Sequence, residues 1–97
     1  MTATSITPRV HALLSGPSGL GEAGIADLTL VNDGATRDVY RLTVETDFHQ
    51  HAYAQPSIVR LDPGTSGQVR VESDRPVVVR VYSEVSGQLA AESYLGR

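Results

Sequence analysis

The sequence predicts an all-β fold, an antiparallel β-sandwich of about seven short strands. Three observations predict it. Short segments alternate apolar and polar residues with a period of two. Turn-forming clusters of Gly, Pro, Asn and Asp recur about every eight to twelve residues. No segment carries a helical period.

The elements follow in order. Arg9 to Leu14 is a first extended segment, ended by Ser15-Gly16-Pro17-Ser18-Gly19, where two glycines and a proline break regular structure. In Ile25 to Val31, Ala26, Leu28 and Leu30 alternate with Asp27 and Thr29, which marks a half-buried strand. Asn32-Asp33-Gly34 then signals a tight turn. From Asp38 to Thr46, Tyr40, Leu42 and Val44 face one way and Arg41, Thr43 and Glu45 the other. Pro56 punctuates the chain before a short apolar segment, Ser57 to Leu61, which Asp62-Pro63-Gly64 closes as a β-turn. Gln68 to Glu72 alternates again with Val69 and Val71 inward. Asp74-Arg75-Pro76 turns the chain into Val77 to Ser83, with Val77, Val79 and Val81 on the core face and Val78, Arg80 and Tyr82 outside.

Ser86-Gly87 starts a hairpin that returns through Leu89, Ala91 and Ser93. With Gly87 at a positive φ, Glu84 lies opposite Gln88, Tyr82 opposite Ala90 and Arg80 opposite Glu92. An opposite-charge pair across the ladder supports this register; a slip by one residue would turn the core side chains outward.

The 97 residues form one domain, 1–97, with residues 1–7 expected to be disordered. Eleven acids face eight bases, all of them arginine, for a net charge of −3; the absence of lysine points to bias in a bacterial coding genome. No basic stripe favours nucleic acid, and no basic amphipathic helix favours a membrane surface. The chain has no cysteine, which excludes disulfides, thiolate metal sites and a cysteine nucleophile. The N-terminal MTATSITPRVHALL lacks an apolar stretch of signal-peptide length. The expectation is a soluble, acidic chain, cytoplasmic by default, or extracellular as part of an exported protein.

The stretch from Leu28 to Val71 resembles the bacterial immunoglobulin-like domains of the NEW3/CARDB kind. LTLVNDG is similar to their strand ending in Asn-x-Gly, TRDVYRLTVET places Asp38 and Tyr40 in an Asp-x-Tyr position, and SIVRLDPGTSGQVRV resembles their Leu-x-Pro-Gly-x-Ser-x-x-Val pattern. The resemblance covers somewhat under half the chain. It implies an immunoglobulin-like sandwich serving as an accessory, spacing or adhesion module.

Two constellations remain. His49 and His51 share one face of an extended segment, with Asp47 beside them, and could supply imidazole nitrogens to zinc or copper, with His11 as a further donor. No third ligand stands at a telling spacing, and a polar edge strand explains the pair more simply. No metal or other cofactor is therefore expected. Neither the glycine-rich segment nor the scattered carboxylates form a phosphate loop, a nucleophile elbow or an acid/base pair, so no catalytic residue is assigned. On the outer face of the last hairpin, Val78, Arg80, Tyr82, Glu92 and Tyr94 fall together, and tyrosine and arginine favour interfaces. The expected function is non-enzymatic protein–protein contact through this sheet face or an exposed edge strand, with a protein partner or through self-association. A self-assembling structural subunit and a small metal-binding protein are the alternatives.

Overall fold

A strand that buries one face needs a second layer to cover it, and the alternating segments find that layer in each other. The computed structural model describes residues 12–17, 19–21, 24–46 and 52–96. The strands are β1 (Leu13–Ser15), β2 (Ile25–Val31), β3 (Asp38–Glu45), β4 (Ala52–Gln55), β5 (Ile58–Leu61), β6 (Ser66–Ser73), β7 (Val77–Ser83) and β8 (Leu89–Leu95). They form two antiparallel four-stranded sheets, ordered β1-β2-β6-β4 and β5-β3-β7-β8.

This is the expected sandwich, with eight strands among the described residues where about seven were expected. The additional strand is β4, which pairs with β6 from Ala52↔Ser73 to Gln55↔Arg70. Its Ala-Tyr-Ala-Gln composition gives no clear periodic signal, and pairing with β6 alone makes it a strand. β6 also begins at Ser66, two residues before the alternation becomes apolar, because its ladder with β2 runs on to Val31↔Ser66. The expected first segment survives as β1, while Arg9 to His11 and the N-terminal residues 1–7 lie outside the described residues.

The core is aliphatic. Ala26, Leu28 and Leu30 of β2 and Val69 and Val71 of β6 meet Tyr40 and Leu42 of β3, Val59 and Leu61 of β5, Val77, Val79 and Val81 of β7, and Leu95 of β8. All of them are buried. Val44 packs against this cluster from its margin. Burying each such side chain contributes about 1.5–3 kcal/mol.

Apolar contact carries no direction, so polar contacts fix how the sheets meet. Asn32, 1 % exposed, follows β2 of one sheet and donates from Nδ2 to the carbonyls of Leu61, in β5 of the other sheet, and Thr36, both at 2.9 Å. Its Oδ1 accepts from Gly34 N–H at 2.9 Å, which closes the Asn-Asp-Gly turn. Its backbone joins the β5–β6 turn, donating to Thr65 O and accepting from Gly64 N–H. That turn is the expected one at Asp62-Pro63-Gly64, with Thr65 N–H donating to Asp62 O and Gly64 at φ +75°.

Another junction ties the sheets through the N-terminal segment. After β1 the chain leaves its sheet, and Gly19 forms a parallel bridge with Gly96, beyond the end of β8. Leu20 N–H donates to Gly96 O at 2.8 Å. A Cβ at Gly19 would lie 2.7 Å from that oxygen, so only glycine permits the approach. The glycine-rich segment, which breaks regular structure, thus carries the crossing between sheets.

The last hairpin keeps the expected pair Arg80↔Glu92, and Gly87 adopts φ +72°. Tyr82, however, lies opposite Leu89 and not Ala90. A β-bulge between Val81 and Tyr82 leaves Ala90 as the extra residue on β8. Ala90 packs on the core and Leu89, grouped by sequence with the alternate residues Ala91 and Ser93, turns outward at 47 % exposure.

Asp38 anchors this hairpin to β3. Its carboxylate accepts from Ser83 Oγ at 2.5 Å, from Val39 N–H at 2.7 Å and from Val85 N–H at 3.3 Å. Two residues on, Tyr40 is buried. Desolvation, reinforced by the Asp38 charge, raises its phenol from 10.0 to about 12.

Two outcomes follow. Asn32→Asp keeps the shape of the side chain but aims carboxylate oxygens at two carbonyls, so urea denaturation should show a loss of at least ~2 kcal/mol. Between pH 10 and about 12 the folded chain holds the Tyr40 proton that the unfolded chain has lost. Stability therefore falls as pH rises through that window, and denaturation of Tyr40→Phe should show a smaller fall over the same interval.

Candidate functional site

The outward residues of the β5-β3-β7-β8 sheet lie in rows set by the registers. One row runs Ile58, Arg41, Tyr82, Leu89. The next runs Thr43, Arg80, Glu92, and the third Glu45, Val78, Tyr94. All five residues that the sequence assigns to an outer cluster, Val78, Arg80, Tyr82, Glu92 and Tyr94, fall on this face.

Arg80 occupies its centre. Nε donates to Glu92 at 2.8 Å, and Nη1 donates to Glu45. Hydrogen bonds to Glu92 and then Glu45 hold the guanidinium above its ordinary range. A carboxylate on each flanking strand thus fixes the cation across β3, β7 and β8. Arg41 lies over the Tyr82 ring, 5.7 Å from its centroid, and makes a longer ion pair with Glu84, at 3.6 Å. Around these charges stand apolar groups in water: Ile58 at 57 %, Leu89 at 47 % and Tyr94 at 67 % exposure.

Sequence alone missed Arg41, Glu45, Ile58 and Leu89 as members of this face. Arg41 and Glu45 were legible as outward residues of their own strand. What no local pattern gave was the adjacency of β3 to β7, and the bulge that turns Leu89 outward.

The other sheet presents a different surface. Its outer rows include Ser15, Thr29 and Gln68, then Asp27, Arg70 and Gln55. Asp27 accepts from Arg70 Nε at 3.1 Å, and Tyr53 donates to Glu72. Hydrogen bonding to Glu72, with lesser desolvation, raises the Tyr53 phenol above its usual value. Leu13, 56 % exposed, lies opposite Val31 in a further row of this face.

Among the described residues no three or more His, Asp or Glu side chains gather as metal ligands. His11, Asp47, His49 and His51 lie outside the described residues. A depression of about 220 Å³ is lined by Arg37, Arg60, Leu61 and Asp62, below the ~300–1,000 Å³ usual for ligand pockets. Arg37 there is already paired with Asp62 at 2.6 Å. Asp27, Glu45, Asp62, Glu84 and Glu92 each engage an arginine in an exposed ion pair. No family model matches the chain, and no curated protein matches it.

The face holds one polar group out of balance. Thr43 Oγ1, opposite Arg80 in the ladder, is shielded from solvent and has no hydrogen-bond partner among the described residues. Removing such a hydroxyl in favour of an isosteric methyl is neutral or favourable. Thr43→Val should therefore leave the thermal midpoint unchanged or raise it, as followed by circular dichroism.

Proposed function

We propose that this chain is a non-catalytic protein-interaction module that binds through the outer face of the β5-β3-β7-β8 sheet. The supporting observation is the make-up of this face, which sets Tyr82, Tyr94, Val78, Ile58 and Leu89 around a fixed Arg80–Glu92 pair. Tyrosine and arginine bring contact area and hydrogen bonding with little loss of freedom, and Arg80 is already held in place before a partner arrives.

The face is better suited to binding than the β8 edge. The bulge at Ala90 distorts one end of that edge, and the Gly19–Gly96 bridge occupies the other. The resemblance of Leu28 to Val71 to NEW3/CARDB domains supports the same role, since such domains act as accessory modules in larger assemblies. Fold alone does not fix function, so the face carries the proposal.

Affinity capture with the chain as bait tests it. The double variant Tyr82→Ala/Tyr94→Ala should recover at least tenfold less partner than the unmodified chain. Tyr53→Ala, on the opposite sheet, should recover as much as the unmodified chain. Equal recovery by the two variants, with both folded by circular dichroism, would exclude the face.

A further inference from the structure

We infer that the partner of this face is a second copy of the chain, related by a two-fold axis that crosses the strands at Arg80. This inference rests on the interaction face proposed above and names its occupant.

The rows carry the argument. A two-fold axis lying in the interface along the Thr43–Arg80–Glu92 row stacks β3 on β3, β7 on β7 and β8 on β8, each pair antiparallel. The rows on either side then exchange. Arg41 of one copy faces Glu45 of the other, Tyr82 faces Val78, and Leu89 faces Tyr94. Each contact occurs twice, as an isologous interface requires. Cation meets carboxylate at both β3 contacts, and apolar group meets apolar group at the other four. On the axis Thr43, Arg80 and Glu92 each meet their own copy, and each Arg80 is already hydrogen-bonded to Glu45 and Glu92 of its own chain. A two-fold axis running along β3 instead would put Arg41 on Arg41 and Glu45 on Glu45.

The size of the face sets the strength. Four strands by the seven residues of β7 make a flat area on the order of 400 Å². Two such faces bury less than the ~1,200–2,000 Å² of a standard stable complex. The dimer is therefore weak and concentration-dependent.

Light scattering on a size-exclusion column, over micromolar to millimolar chain, tests the inference. The mass should rise with concentration from 10.4 kDa toward twice that value. Arg41→Glu and Glu45→Arg each place like charges at both β3 contacts, so each alone should weaken dimerisation about tenfold or more. An equimolar mixture of the two variants pairs opposite charges at both contacts and should recover the dimer. Glu45→Arg also removes a partner of Arg80, so a second test avoids it. The chain has no cysteine. Leu89→Cys mixed with Tyr94→Cys should cross-link through a short bismaleimide, and neither variant should cross-link efficiently with itself.

A chain that stays monomeric at every concentration overturns the second-copy inference. The interaction face then stands or falls on capture by the Tyr82→Ala/Tyr94→Ala variant. A dimer that ignores both charge reversals and yields no Leu89–Tyr94 cross-link overturns the two-fold arrangement.

Discussion

The buried amide of Asn32 is the constraint on which the rest of this structure depends. The two sheets meet through valine and leucine side chains, and such contacts would tolerate sliding and rotation. No disulfide holds the layers, because the chain has no cysteine. Asn32 supplies the missing direction. Its side chain closes its own turn and holds Leu61 in the opposite sheet, while its backbone bonds the β5–β6 turn. Each of these bonds is buried or partly buried, where an unmet partner costs more than a bond gains. A shifted sheet would therefore leave several polar groups unpaired together.

The Gly19–Gly96 bridge is a further tie between the layers. There the constraint is steric: the Gly19 backbone approaches Gly96 O more closely than a Cβ at position 19 would allow. Within one sheet, Asp38 holds the β7–β8 turn against β3 through Ser83 and Val85. Together these contacts set β3 beside β7 and fix the height of the final hairpin. The outer face inherits its order from them. Arg80 lies between Glu45 and Glu92 because three strands hold fixed registers, and Leu89 projects outward because one extra residue is absorbed at Ala90.

A surface of this kind acts through complementarity more than through reactive groups. The arginine at its centre is oriented by carboxylates on both neighbouring strands, so little freedom is lost when another surface covers it. The apolar residues lie to either side of that charge row, and the charges on β3 are of opposite sign at the two ends. Such a face distinguishes partners by register. A matching surface meets charge with countercharge, while a displaced one buries charges without partners.

The sequence by itself determined the class of fold, most strand positions and which residues face inward. Period-two alternation places Leu28, Val71 and Val79 in the core whatever their neighbours, and Asp-Pro-Gly and Ser-Gly need only local geometry to turn the chain. It also placed Val78, Arg80, Tyr82, Glu92 and Tyr94 on one face, through the alternation along each strand and the opposite charges of Arg80 and Glu92. Only the tertiary structure decided the rest. β4 is a strand because β6 offers it a free edge; Pro56 and the Ala52 to Ala54 spacing suggest an edge or connecting segment without deciding between them. The bulge at Ala90 answers a conflict between the turn and the core that neither strand shows alone. Arg41, Glu45 and Ile58 join the face because β3 and β5 lie beside β7, an adjacency set by which sheet each strand enters. Local pattern records the direction of a side chain, whereas strand order is set by long-range packing, and so the candidate site was half legible before the fold was known.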